Sequence, residues 1–184
     1  MPNLTYLSLG SNLGDRESHL REAIRRLQSL GTVQTVSSLY ETEPVEYRDQ
    51  PWFLNCAVAL ETSSTPVPLM QQLLEIERAM GRLRVRKQGP RIIDIDILLF
   101  GGEVVDTPEV TIPHPAMQQR RFVLVALAEI ARRTTHPVLR KTIQQLLDEL
   151  PKGQIVKKFE GPLATHQTDS HGSKPRQTIR GINP

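Results

Sequence analysis

Arg91-Ile92-Ile93-Asp94-Ile95-Asp96-Ile97-Leu98-Leu99-Phe100 is the stretch on which the reading of the fold turns. Apolar and β-branched residues dominate from Ile92 to Phe100, which predicts a strand. Alternation places Ile93, Ile95, Ile97 and Leu99 on one face and Asp94 and Asp96 on the other. This strand closes a series. Leu4 to Leu9 reads as a first strand running into the turn-rich Gly10-Ser11-Asn12-Leu13-Gly14-Asp15. Leu20, Ala23, Ile24, Leu27 and Leu30 share one helical face, which Gly31 ends. Thr32 to Thr42 is rich in β-branched residues and reads as strand. A loop from Glu43 to Pro51 leads to the strand Phe53 to Glu61. Pro66 and Pro68 open a second helix with Leu69, Met70, Leu73, Leu74 and Met80 inward, closed by Gly81. The order strand, helix, strand, strand, helix, strand is the ferredoxin-like α+β pattern, βαββαβ. Beyond that core, Val104-Val105 and Val110 to Ile112 read as short added strands. Phe122 to Ala131 and Thr142 to Leu150 read as C-terminal helices, the latter opened by a capping box of Thr142 and Gln145.

The rest of the chain bounds the answer. Its 184 residues, 38% hydrophobic and 23% charged, suit one globular domain and exclude collagen-like, coiled-coil and wholly disordered classes. We expect a single domain over residues 1–159. From 160 to 184 Gly, Pro, Ser, Thr and Gln replace apolar residues, so a disordered tail is expected there. No apolar run approaches a membrane span, and the N-terminus lacks the features of a secretory signal. A single cysteine, Cys56, excludes an intrachain disulfide and points to the cytoplasm.

Asp is a poor strand former, and a pair on one face is costly. With their oxygens about 5 Å apart, the two charges would repel by roughly 3 kcal/mol at an effective dielectric near 20. A hard cation removes both objections, and magnesium is commonly held by one or two carboxylates together with substrate phosphates. The alternative is a solvent-facing edge strand with two incidental acids. Immediately upstream, Arg78, Arg82, Arg84, Arg86, Lys87 and Arg91 follow one another with no acid between them, although the net charge is only +3. Such a cluster attracts phosphate or nucleic acid, or is simply a solvated basic loop. Asn55, alone and polar in an apolar strand, shares a face with Phe53, Ala57 and Ala59. An amide beside an aromatic ring can hydrogen-bond and stack a flat heterocycle, or bond the adjacent loop. His114, held between Pro113 and Pro115 and followed by Arg120 and Arg121, suits either a phosphate contact or a structural role. No phosphate-loop, dinucleotide or zinc signature is present.

Four segments together resemble one family: Leu9 to Asp15, Gln50-Pro51-Trp52-Phe53-Leu54-Asn55, Gly89-Pro90-Arg91-Ile92-Ile93-Asp94-Ile95-Asp96-Ile97-Leu98, and Ile112-Pro113-His114-Pro115. It is the 6-hydroxymethyl-7,8-dihydropterin pyrophosphokinases of folate biosynthesis. The resemblance implies transfer of the terminal pyrophosphoryl unit of ATP to the pterin hydroxymethyl group, giving AMP and the pterin diphosphate. It implies ATP as co-substrate, two magnesium ions on Asp94 and Asp96, and catalysis by these carboxylates with Arg82 and Arg91. Nucleotide contacts fall on Glu77, Arg82, Arg84, Arg91, Ile97, Thr111, His114 and Arg120. Pterin contacts fall on Thr42, Pro44, Val45, Asn55 and the aromatic pair Phe53 and Phe122. The chain departs from the better-known members at Leu74, Val85, Gln88, Glu109 and Pro115, all around the nucleotide. The implied partners are ATP and a reduced pterin, with no nucleic acid, no membrane and a monomeric enzyme. A ferredoxin-like RNA-binding module is the competing reading. Against it stands an aromatic content of only 4%, with no run of closely spaced rings. A pterin binder without catalysis is a third, opposed by the presence of both carboxylates and the arginines.

Overall fold

A computed structural model describes residues 1–44, 49–82 and 89–160. Val45, Arg84 with the rest of the basic loop over 83–88, and the expected tail beyond Glu160 lie outside the described residues.

Strand β1 (Asn3–Ser11) sits between β4 (Phe53–Thr62) and β5 (Asp94–Phe100), antiparallel to both. On the far side of β4 lie β2 (Thr32–Val36) and β3 (Tyr40–Thr42), and β8 (Val156–Lys158) pairs with β3 at the edge. The path β5-β1-β4-β3 is the ferredoxin-like order predicted by the sequence. A separate hairpin joins β6 (Val105–Asp106) to β7 (Thr111–Ile112), where added strands were expected.

One face of the sheet is covered by α1 (Arg16–Leu27) and α2 (Pro66–Ala79). Leu20, Ala23 and Leu27 of α1 and Leu69, Leu73 and Ile76 of α2 pack there against Leu7, Leu9, Leu54, Val58 and Ile95. The other face is covered by α3 (Arg121–Ala131) and α4 (Ile143–Glu149), whose apolar residues meet Ala57, Leu98 and Leu99. The capping box at Thr142 forms as expected, its hydroxyl accepting from Gln145 N–H and the Gln145 carboxamide accepting from Thr142 N–H.

Four details differ from the sequence reading. Pairing slips between Tyr6 and Leu7, so Leu98 forms a bulge that turns Leu99 to the α3 face with it; a bulge adds a residue to one strand and inverts the alternation beyond it. Thr32 to Thr42 is two strands. Between them Ser37 donates its N–H to Ala57 O and accepts Ala57 N–H on Oγ, both at 2.9 Å, while Leu39 turns into the core. In α2 it is Ile76, with Glu77, that is buried, while Leu74 lies outside both apolar clusters. Finally, α1 ends at Leu27, before Gly31. Gly31 is needed for a close approach instead: a Cβ there would lie 2.1 Å from the carbonyl oxygen of Glu61.

That oxygen belongs to a paired strand and cannot move aside cheaply. Gly31→Ala is therefore expected to destabilise the protein by about 2 kcal/mol and lower its melting temperature by roughly 5 °C, as read by thermal unfolding.

Candidate active site

The site is laid out by strand register. Gly10 of β1 faces Asn55 of β4 on one side and Asp94 of β5 on the other; two residues earlier, Ser8 faces Ala57 and Asp96. Carboxylate, glycine and carboxamide thus form one row across the sheet, on the face where α3 begins. The glycine is required, because a Cβ on Gly10 would lie 2.6 Å from Asn55 Oδ1. Asn55 is buried and donates through Nδ2 to Thr42 Oγ1 at 2.6 Å. Phe53, two residues before Asn55 on the same strand and directly opposite Thr42, lies beside the row.

A cavity opens over this row. Its floor is Ser8, Gly10 and Asn55, with Asp94 and Asp96 at one end. Thr42, Glu43, Gln50 and Phe53 line the side of β3 and β4, while Arg91, Arg120 and Phe122 complete the wall. The structure therefore brings together most of the residues expected to meet the pterin and both expected carboxylates. Pro44 is buried beside the cavity without lining it.

The charged groups are tightly arranged. Arg82 Nη1 pairs with Glu77 and, at 2.7 Å, with Asp94 Oδ1; Arg91 Nη1 lies 3.4 Å from Asp94 Oδ2. Glu77, only 2% exposed, accepts Ile95 N–H on its other oxygen at 2.8 Å. Burial raises its pKa, with Arg82 opposing the rise. Both Glu77 oxygens are thus engaged inside the protein, so this residue supports Arg82 and β5 from behind. Asp96 is pushed well above the usual carboxylate range, first by burial and then by the Asp94 charge, with Arg120 acting against both. Among the described residues no group of three or more His, Cys, Asp or Glu could hold a metal by itself. Asp94 and Asp96 nonetheless fit a magnesium ion shared with substrate phosphates, since all the protein then supplies is hard carboxylate oxygen.

Ile97, Thr111 and His114, the other described residues expected at the nucleotide, do not line this cavity. Ile97 packs in the α1/α2 core on the opposite face of β5 from Asp96, leaving only its backbone for a ligand. Thr111 is exposed on β7, its hydroxyl 3.4 Å from Asp106 Oδ1. His114 anchors its backbone to Leu98 O and accepts Ala116 N–H on Nδ1 at 3.1 Å. Burial, then Arg120, lowers its pKa, and because Nδ1 accepts the Ala116 N–H the neutral ring carries its proton on Nε2.

Asn12 is a residue whose role the sequence reading did not find. Its Oδ1 accepts Arg91 N–H at 2.8 Å, its N–H donates to Arg91 O at 3.1 Å, and its Nδ2 donates to Gln50 Oε1 and Pro51 O at 2.9 and 3.0 Å. One buried side chain therefore joins the end of β1 to both loops of the site. Arg91, held in this way, stacks over Phe53 with Cζ 5.2 Å from the ring centre. Polar residues at turns are common, and only spatial placement separates this one from an ordinary turn former.

The sequence profile of the 7,8-dihydro-6-hydroxymethylpterin-pyrophosphokinase (HPPK) family matches residues 6–132, well over half of the chain. The chain belongs to this family. It is 48% identical over 134 residues to the 2-amino-4-hydroxy-6-hydroxymethyldihydropteridine pyrophosphokinase of Bacillus subtilis, covering 72% of this chain and 80% of that one. The enzyme of the same name from Methylorubrum extorquens is 46% identical over 128 residues, 68% of this chain and 81% of that one. The wild-type Plasmodium falciparum HPPK-DHPS structure with pterin and p-hydroxybenzoate shares the fold at a TM-score of 0.64 and 20% identity; the match covers 80% of this chain and 43% of that one. The HPPK match takes in Asn12, the Gly10 row, both carboxylates and Arg120.

Asn12→Ala should free both loops at once. We expect a stability loss of about 2 kcal/mol in denaturant unfolding and faster hydrogen exchange at the Arg91 amide, whose acceptor is removed.

Proposed function

We propose that the chain transfers the pyrophosphoryl group of ATP to the hydroxymethyl group of 6-hydroxymethyl-7,8-dihydropterin, giving AMP and the pterin diphosphate in folate biosynthesis. The observation that supports the mechanism is the row of Asp94, Gly10 and Asn55, in which a carboxylate and a carboxamide flank one glycine, as a phosphate-metal site beside a site for a flat heterocycle requires. Asn55 hydrogen-bonds the pterin edge, Thr42, Pro44 and Val45 supply further contacts to it, and Phe53 and Phe122 take the two faces of the ring. Arg82, Arg84, Arg91 and Arg120 serve as the triphosphate's cationic partners, with His114 donating from Nε2. Ile97 and Thr111 offer backbone to the nucleotide, and Glu77 holds Arg82 in place.

Asp94 and Asp96 would hold two magnesium ions. Bound there, these ions supply charge neutralisation of the phosphates and acidify the substrate hydroxyl. Arg82 and Arg91 leave Asp94 for the phosphate oxygens and stabilise charge on the departing AMP. The buried Nε of Arg91, which has no hydrogen-bond partner among the described residues, supports an anionic ligand at that position. Holding the hydroxymethyl group in line with the β-phosphorus is the task of the Asn55 and Phe122 walls.

The residues proposed for both substrates belong to one chain, and we read the enzyme as a monomer. Among the described residues no helix is long and apolar enough to cross a membrane. Cys56 is buried, its thiol pushed up to about 12 by burial, and so is inert. A cytoplasmic enzyme suits both observations.

The decisive assay mixes the protein with ATP, magnesium and the reduced pterin and identifies the nucleotide released. Pterin-dependent AMP is the expected product, whereas ADP alone would mean attack at the γ-phosphorus. Asp94→Ala and Asp96→Ala should each lower turnover by a factor of at least about a thousand, equivalent to ~4 kcal/mol of transition-state stabilisation, while the melting temperature stays near that of the unsubstituted protein.

Asn55→Ala and Phe122→Ala should weaken pterin binding by roughly tenfold or more and leave ATP binding almost unchanged in separate equilibrium titrations. Equal losses for both ligands would mean that these residues serve the fold and not the pocket.

A further inference from the structure

The family match ends at residue 132, yet the chain beyond it returns to the pocket. Helix α3 starts without a cap of its own, for Arg120 at its N-cap position makes no side-chain capping bond. The first N–H groups of a helix need partners from elsewhere. Phe122 is among them, and its N–H donates to Oε1 of Gln154 at 3.2 Å. The same carboxamide donates through Nε2 to the carbonyl of Glu43 at 3.3 Å, and the next residue, Ile155, donates its N–H to Glu43 Oε1 at 3.0 Å. Strand β8 then pairs with β3, and Lys157 lies 5.9 Å from the centre of the Trp52 ring, beside Phe53.

Phe122 and Glu43 belong to different elements, and both line the cavity. Among the bonds just described, the carboxamide of Gln154 is the one group that holds both. It needs both of its functions to do so, an acceptor toward the helix N–H and a donor toward the carbonyl. We propose that Gln154 is a positioning residue of the pterin pocket, capping α3 from a distance and fixing Phe122 relative to Glu43. This rests on reading the cavity as the pterin site. The ring of Phe122 can stack on a ligand only where the backbone that carries it is held, and Gln154 holds that backbone. A residue serving only the fold would affect ATP and pterin alike.

The test uses Gln154→Ala and Gln154→Glu in the full chain, with pterin and a non-hydrolysable ATP analogue titrated separately by calorimetry, alongside steady-state kinetics and thermal unfolding. For Gln154→Ala the Kd and KM for the pterin should rise by roughly tenfold, while ATP affinity and kcat stay within about twofold and the melting temperature barely moves. Gln154→Glu keeps the acceptor for Phe122 and loses the donor to Glu43, so its pterin affinity should fall between the two. Unchanged pterin affinity in Gln154→Ala, or parallel losses for both ligands with a lowered melting temperature, would overturn the proposal alone. An unsubstituted chain that binds no pterin would overturn the proposed function and this inference with it.

Discussion

Antiparallel pairing of β1 with β4 on one side and β5 on the other is the constraint from which the site follows. Because side chains alternate along each strand, that register decides which residues face the same cavity. Gly10 stands between Asn55 and Asp94, and Ser8 between Ala57 and Asp96. A slip of one residue in β5 would turn both aspartates into the apolar layer under α1 and α2, where isoleucines now sit. The isoleucines Ile93, Ile95 and Ile97, all buried there, therefore hold the carboxylates in place through hydrophobic burial on the opposite face. Packing and chemistry are two sides of the same strand.

The second constraint is electrostatic. Glu77 is nearly inaccessible to water, and a buried carboxylate is costly unless it is paired and hydrogen-bonded. Arg82 and the Ile95 N–H meet that need, and Arg82 spans from Glu77 to Asp94. An arginine that must serve two carboxylates is held at the mouth of the basic loop, at the point where that loop leaves α2. Asn12 does the corresponding job at the other end of the loop by gripping Arg91 on both its N–H and its carbonyl. Both arginines are thereby anchored by buried polar groups of the scaffold.

Much of this was legible in the residues themselves. Alternation around Asp94 and Asp96, the proline-opened α2 and the Thr142 capping box each follow from local periodicity or local chemistry. What was not legible depends on partners far away in the chain. The bulge at Leu98 arises where β5 meets β1 and leaves no trace in the run Ile97-Leu98-Leu99, since either face would accept leucine. Gly31 reads as a helix stop until Glu61 is seen against it. Strand β8, with two lysines among its three residues, has no apolar pattern to announce it, yet lysine is well suited to a sheet edge that must stay unpaired. Asn12 and Gln154 carry amides whose purpose is set entirely by what folding brings within reach.

Strand β8 also has a consequence for the order in which the protein is made. Synthesis proceeds from the N-terminus, so β1, β4 and β5 can pair, and the carboxylates can take their places, while the residues around Gln154 are still inside the ribosome. During that interval β3 presents a bare edge and α3 an unsatisfied first turn. The carboxylate end of the cavity can therefore form on the nascent chain before the end at Glu43 and Phe122, which is completed only when β8 emerges. Between those two moments the exposed edge of β3 is open to pairing with a neighbouring chain on the same message.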